Sequence, residues 1–167
     1  MVYYAEISSP VGTLLLTAEE ESLTAIRMDR QLPPEAQEQP DHPVLLAAAR
    51  WLDDYFQGKP TEIAFVLDPK GTPFQRQVWK LLLTIPFGTT RTYGDIAREM
   101  AHLMGKEKMS AQAVGQAVGR NPVSILIPCH RVVGAGGKLT GYAGGLEKKQ
   151  WLLRHEGLIA AENRSEG

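Results

Sequence analysis

Near residue 70 the chain changes character, and the break decides how it can fold. Residues 1–70 carry 5 Lys/Arg against 12 Asp/Glu, a balance of −7, and residues 71–167 carry 13 against 7, a balance of +6, so the overall −1 conceals two oppositely charged parts. The acidic part alternates apolar and polar residues as strands do, and the basic part carries apolar residues at helical spacing. An α+β protein is expected, with a strand-rich α/β domain over 1–70 and a mainly helical domain over 71–167. With 43% hydrophobic residues among 167, the chain has enough apolar material to bury a core.

Charge asymmetry of this kind has two explanations that remain open here. Either the basic domain faces a polyanion, whose phosphates Lys and Arg would neutralise, or an acidic domain simply packs on a basic one. The opening MVYYAEISSP lacks the hydrophobic run of a secretory signal, and no later stretch is apolar for the roughly 20 residues that a bilayer span needs. A soluble, cytoplasmic protein without membrane contact is expected.

Val2–Ser8 and Thr13–Ala18 read as strands joined by a hairpin turn at Ser9-Pro10-Val11-Gly12, and Leu23–Arg27 as a third strand. The stretch from Asp29 to His42, rich in Pro, Gln and Glu, is expected to be loop. Pro43 opens a helix in which Leu45, Leu46, Ala49, Leu52, Tyr55 and Phe56 recur at helical spacing until Gly58. Ile63, Phe65 and Leu67 then alternate as one more strand. Thr72 and Pro73 begin a helix with Phe74, Val78, Leu81 and Leu82 on one face. Pro86-Phe87-Gly88 breaks it; Thr92-Tyr93-Gly94-Asp95-Ile96-Ala97 starts another that runs to about Met104, and Ser110 caps a third, Ala111–Gly119. The last two, joined by a short turn, suit a helix-turn-helix. The many Ala and Gly residues of the third suit either close approach to DNA or tight packing on another helix.

The single cysteine, Cys129, allows no internal disulfide and cannot supply the paired thiolates of most structural zinc sites. His42, His102, His130 and His155 do not combine with it at ligand spacing, so neither metal nor cofactor is expected. A lone cysteine is either apolar filler or a reactive thiol. This one follows a strand-like apolar run, Val123–Ile127, that could leave it partly exposed and hold it rigidly. The adjacent His130 and Arg131 would favour thiolate, the nucleophilic form. A Cys-His dipeptide alone is a weak signal.

Its company is more specific. Pro128-Cys129-His130-Arg131-Val132, then GKLTGYAGG over 137–145, then LEKKQWLLRHEG over 146–157, resemble the methylated-DNA–protein-cysteine methyltransferase family, and the match extends over residues 72–157. The N-terminal part is similar in general layout only. The resemblance implies a ribonuclease-H-like N-terminal domain and a winged-helix-like C-terminal domain. The latter would bind double-stranded DNA through the minor groove, flip out an O6-alkylguanine and take its alkyl group irreversibly. The protein would act as a monomer, once per molecule.

By the same resemblance Cys129 matches the alkyl acceptor, His130 the base that relays its proton through a water, and Glu156 the carboxylate that orients this histidine. Tyr93 matches the hydroxyl that donates toward the departing guanine, and Asn121 the asparagine that braces the turn around the cysteine. Tyr142, Ala143 and Gly144 match the loop that walls the base pocket, and Lys149 a lysine beside it. Ala143 stands where the family commonly has Ser, but the backbone N–H that faces O6 is retained. Thr92, Ala111, Gln112, Ala113, Gly115 and Arg120 are the residues expected against DNA. Gln112 occupies the place of an arginine that enters the duplex; it can fill space and hydrogen-bond but brings no charge, and Arg120 is the candidate substitute.

Taken singly these residues have plainer readings. His130 could be a satisfied core histidine, Glu156 a helix-end carboxylate paired with Arg154 or Lys149, and Tyr93 a core aromatic. A cysteine hydrolase would need an oxyanion hole and would turn over repeatedly. A lesion sensor of the alkyltransferase-like kind would lack the acceptor cysteine, and a plain helix-turn-helix regulator leaves Cys129, His130 and Glu156 without a role.

Overall fold

A computed structural model describes residues 1–59, 61–142 and 144–158. The chain divides into two compact units: Met1–Lys70 together with Pro122–Leu126, and Gly71–Asn121 together with the residues from Ile127 onward. The α+β class expected from the sequence is the one adopted.

In the first unit β1 (Val2–Ser9), β2 (Gly12–Glu19) and β3 (Ser22–Arg27) form an antiparallel meander, and β4 (Gln37–Glu38) and β5 (Val66–Leu67) add parallel edges in the order β4-β1-β2-β3-β5. The first hairpin is set locally. Ser9 Oγ donates to Gly12 O and accepts from the Val11 N–H, and Gly12 sits at φ 104°, where a side chain would be strained. Leu14, Leu15 and Leu16 are all buried in β2, so the central strand is covered on both faces. Helix α1 (Pro43–Phe56) packs on the meander through Leu45, Ala48, Leu52 and Tyr55. His42 caps it, its Nδ1 accepting from the Val44 N–H while Nε2 bonds to Glu20 O.

Three expectations for this unit need correction. The stretch 29–42 is not wholly loop, since it supplies β4. The strand over Ile63–Leu67 shrinks to Val66–Leu67, for a topological reason: in parallel register Val66 pairs with Ser22, so earlier residues would have to pair with the β2–β3 turn. Leu46 is 40% exposed, and Ala48 takes its place in the core.

The run Val123–Ile127 is likewise not a strand. It makes one isolated parallel bridge, Val123 to Ile26, and then turns. Ile125 has φ 71°, a conformation that costs a β-branched residue about 1–2 kcal/mol. Complete burial of its side chain offsets that strain. The run is uniformly apolar because the turn is buried, a pattern that periodicity cannot separate from a buried strand.

The second unit contains α2 (Pro73–Leu82), β6 (Arg91–Thr92), α3 (Tyr93–Leu103), α4 (Ala111–Gly119), β7 (Val132–Val133) and α5 (Leu146–His155). Capping boxes start α2 and α3: Thr72 exchanges hydrogen bonds with Gln75, and Thr92 with Asp95. Trp79, fully buried on α2, donates its indole N–H to Ala117 O on α4 at 2.9 Å. Val114, Ala117 and Val118 turn inward from α4, and Ala111, Gln112, Gln116, Gly119 and Arg120 are exposed. Small residues thus serve both faces of this helix. β6 and β7 form a short parallel pair that no local sequence pattern marks. Among the described residues no helix is long and apolar enough to cross a membrane.

Candidate active site

Cys129 begins a one-turn 3-10 helix, Cys129–Arg131, immediately after Pro128. The segment before it is tied back on itself: the Asn121 side chain donates Nδ2–H to Ile127 O at 2.8 Å, and the Cys129 N–H donates to the same carbonyl at 2.8 Å. The segment after it becomes β7, which pairs with β6, and β6 runs directly into Tyr93 at the start of α3. One strand pair therefore ties the cysteine turn to the entrance of the helix-turn-helix.

Helix α5 supplies the rest of the site. Lys149, fully buried, directs its ammonium at three carbonyls, Val132 O (2.7 Å), Thr140 O (2.9 Å) and Gly141 O (3.4 Å), and lies 5.9 Å from the Tyr93 ring centroid. It thereby pins the 140–141 loop to β7. At the other end of α5, Glu156 accepts from His130 Nε2 at 2.7 Å, from Arg131 Nε at 2.8 Å and Nη2 at 3.1 Å, and from the Gly88 N–H at 3.0 Å.

Cys129 is not partly exposed as its place after an apolar run suggested: because that run is a buried turn, the residue is only 7% exposed, and His130 is fully buried. Burial pushes the Cys129 thiol up from its ordinary range, against the Asn121 side chain, the Lys149 charge and the Tyr142 hydroxyl, which favour thiolate. Burial likewise pushes His130 down, against Glu156, which favours its protonated form. Glu156 would be raised by burial, but its bonds from His130, Arg131 and Gly88 bring it down to about 2. Lys149 is lowered by burial to about 8, the nearby Cys129 working in the opposite direction. The resting site is a neutral thiol, a neutral imidazole and an ionised carboxylate. With Nε2 committed to the carboxylate, Nδ1 is the basic nitrogen of His130.

Of the expected residues, Cys129, Asn121, Tyr142 and Lys149 come together around the sulfur, and His130 joins Glu156 behind it. Tyr93 is half-buried beside Lys149, and a Cβ on Gly115 would lie 3.8 Å from the Tyr93 ring. Gly144 is half-buried in the loop before α5, and Ala143 lies outside the described residues. Ala111, Gln112 and Arg120 are exposed on α4, where Ala113 and Arg120 help line an open groove that includes Phe74 and Gln116. The Thr92 side chain is engaged as the α3 cap.

One expectation is corrected, and one alternative reading is set aside. Arg131 does not act on the sulfur; it is gripped by Glu156, and the groups that favour thiolate are Asn121, Lys149 and Tyr142. Glu156 is bound by His130 and Arg131, not by Arg154 or Lys149. The sequence held no signal for the Arg131–Glu156 pair, because the partners are 25 residues apart and neither falls in a periodic pattern.

Comparison with known proteins places the chain in a family. Residues 73–158 match the family described as 6-O-methylguanine DNA methyltransferase, DNA binding domain, and residues 2–69 its ribonuclease-like domain. The chain is 46% identical over 158 residues to a methylated-DNA–protein-cysteine methyltransferase of Mycobacterium tuberculosis, covering 93% of each chain. It is 44% identical over 161 residues to one of Methanosarcina acetivorans, covering 93% of this chain and 99% of that one. Among solved structures, Mycobacterium tuberculosis OGT in complex with DNA superposes with a TM-score of 0.82 at 42% identity, over 96% of this chain and 97% of that one. The chain belongs to the 6-O-methylguanine DNA methyltransferase family.

Proposed function

We propose that this chain repairs double-stranded DNA by transferring the alkyl group of O6-alkylguanine to its own Cys129, irreversibly and once per molecule. The observation that carries the reading is a lone buried thiol whose neighbour, His130, has its Nε2–H committed to Glu156 at 2.7 Å, which leaves Nδ1 to take a proton. In this reading nucleophile, base and orienter act in that order, with the His130–Glu156 bond as the fixed half of the relay. The names of its relatives and the DNA complex of the Mycobacterium tuberculosis protein support the same reading.

In this mechanism the Cys129 proton passes through a water to His130 Nδ1, and the sulfur attacks the alkyl carbon in line. The S–C bond forms as the C–O6 bond breaks, and the bonding pair leaves with guanine. Negative charge on the ring is met by the Tyr93 hydroxyl and by backbone N–H groups of the 142–144 loop. The imidazolium returns its proton through solvent, so guanine ends with the hydrogen that the thiol gave up. The product thioether has no carbonyl for water to attack, and a second half-reaction is therefore missing.

Before the chemistry the base must leave the stack, at a cost of a few kcal/mol that is smaller for a weakly paired lesion. The exposed face of α4 enters the minor groove, with Gln112 filling the vacated space and Arg120 supplying the charge that Gln112 lacks. Thr92, Ala111, Ala113 and Gly115 are assigned to the same approach, and Asn121 braces the turn. The reaction needs a single chain and no cofactor, and its setting is the cytoplasm.

Incubation with duplex DNA containing O6-methylguanine is expected to add one methyl group per chain, located at Cys129 by peptide mass spectrometry. Cys129→Ser is expected to lose transfer and keep DNA binding. Repeated turnover, or a methyl group on another residue, would refute the reading.

A further inference from the structure

Of the two side chains seen bonded to Glu156 among the described residues, only His130 has a part in the reaction proposed above. The other, Arg131, sits with its side chain 9% exposed and makes a fork: Nε to Glu156 Oε1 at 2.8 Å and Nη2 to Oε2 at 3.1 Å. Its third nitrogen, Nη1, donates to Ile85 O at 2.7 Å, and its guanidinium carbon lies 5.8 Å from the Phe87 ring centroid. Each carboxylate oxygen therefore takes two donors, Oε1 from Arg131 and the Gly88 N–H, and Oε2 from Arg131 and His130.

We propose that Arg131 is a positioning residue for the transfer: by gripping both oxygens of Glu156 it fixes the plane in which the carboxylate meets His130 and shares its charge, so that His130 rests neutral and able to accept a proton. The proposal rests on the alkyl-transfer reading. A buried carboxylate facing an imidazole alone would draw a proton onto it, and an imidazolium cannot act as a base. Burial is the larger influence that keeps His130 neutral; a guanidinium on the same two oxygens works with it by offsetting the carboxylate's pull, while keeping the hydrogen bond that sets the tautomer.

The charged groups acting on His130 are Glu156, Arg131 and Lys149, with the Cys129 thiol next to it in the chain. Lys149 directs its ammonium at the carbonyls of Val132, Thr140 and Gly141, whereas Arg131 grips the Glu156 oxygens directly. Lysine could not replace it, since an ammonium has no planar fork with which to hold two oxygens and a carbonyl at once.

The test measures methyl transfer from an O6-methylguanine duplex against pH, and His130 ring protonation by nitrogen NMR, for the unsubstituted protein, Arg131→Lys and Arg131→Gln. Arg131→Lys keeps the charge, and is expected to slow transfer about 10- to 100-fold at every pH through misplacement of the base, with His130 still neutral at pH 7. Arg131→Gln is expected also to move the acid limb of the profile to higher pH, raising the ratio of rates at pH 8.5 and pH 6 roughly tenfold as a like charge is removed. Slowing without any shift in Arg131→Gln would leave Arg131 a merely structural tie to Ile85 and overturn the proposal. If Arg131→Gln does not fold, Arg131→Lys decides: an unchanged rate, or an imidazolium at pH 7, overturns it. Failure of the unsubstituted protein to transfer a methyl group would instead defeat the alkyl-transfer reading itself, and this proposal with it.

Discussion

Replacing Glu156 by glutamine tests how much of the site's order depends on one carboxylate. Four donors converge on it, from Gly88, His130 and twice from Arg131, and the side chain is almost wholly buried. A glutamine keeps one acceptor oxygen and turns an amide donor toward groups that are themselves donors, so Arg131 is left in the interior without a counter-charge. Breaking a buried pair in this way costs about 3–5 kcal/mol. The carboxyl's own titration gives a similar figure, because its fall from 4.5 to about 2 corresponds, at ~1.4 kcal/mol per unit, to about 3 kcal/mol.

The pH dependence fixes the sign. Between pH 2 and 4.5 the unfolded chain holds a proton on Glu156 that the folded chain has released, so stability from this group rises with pH through the window and is complete above it. Urea denaturation of Glu156→Gln is thus expected to show a loss of about 3 kcal/mol at pH 7 that shrinks as the pH approaches 3. Transfer should slow while DNA affinity is nearly unchanged. A difference from the unsubstituted protein that is the same at pH 3 as at pH 7 would refute the assignment of the depressed titration to Glu156, and an unchanged transfer rate would remove its orienting role.

Lys149 should show a dependence of the same sign at alkaline pH. Held at about 8, it loses its proton in the folded chain while the unfolded chain keeps it to about 10.5, so stability should climb across that interval and the climb should vanish in Lys149→Met. The comparison is best made with Cys129→Ser present in both proteins, because the raised thiol contributes an opposing fall; with Cys129 intact, Lys149→Met should slow iodoacetamide labelling of that residue. Gln112→Arg adds a cation to the exposed face of α4 and is expected to steepen the dependence of DNA affinity on salt by about 0.9 in log–log slope, measured by fluorescence anisotropy. An unchanged slope would mean that this face of α4 does not meet the duplex.

What the sequence made legible was whatever is set by neighbours along the chain. The β1–β2 hairpin follows from Pro10 and Gly12, the starts of α2 and α3 from Thr72 and Thr92, and the bounds of α4 from Ser110 and the alanine-rich run behind it. The features missed depend on residues that meet only on folding. β4 and β5 are two residues long and exist because a neighbouring strand offers an edge, and β6 finds β7 about 40 positions away. Val123–Ile127 misled because burial alone explains its composition. Within the site, Cys129, His130 and Glu156 were found through resemblance, and the geometry adds Arg131, which local chemistry had assigned to the wrong partner. Arg131 is next but one to Cys129 in the chain, yet the helical turn carries its guanidinium to the end of α5.

The electrostatics of the site bear on why a reactive thiol can sit in a cell without reacting indiscriminately. Two sets of groups meet at the Cys129-His130 dipeptide: Asn121, Tyr142 and Lys149 act on the sulfur, and Glu156 with Arg131 acts on the imidazole. Neither set is enough to ionise the thiol at rest, since burial outweighs the groups that favour thiolate. In the proposed mechanism ionisation must therefore wait for a proton to reach His130 while an alkyl carbon stands in line with the sulfur, and an electrophile not held in that position meets a protonated and largely covered group. A single-use protein has a particular need of that condition, because each sulfur alkylated by anything other than DNA is a molecule lost to repair. The same burial that makes the nucleophile weak in isolation makes its reaction conditional on the substrate.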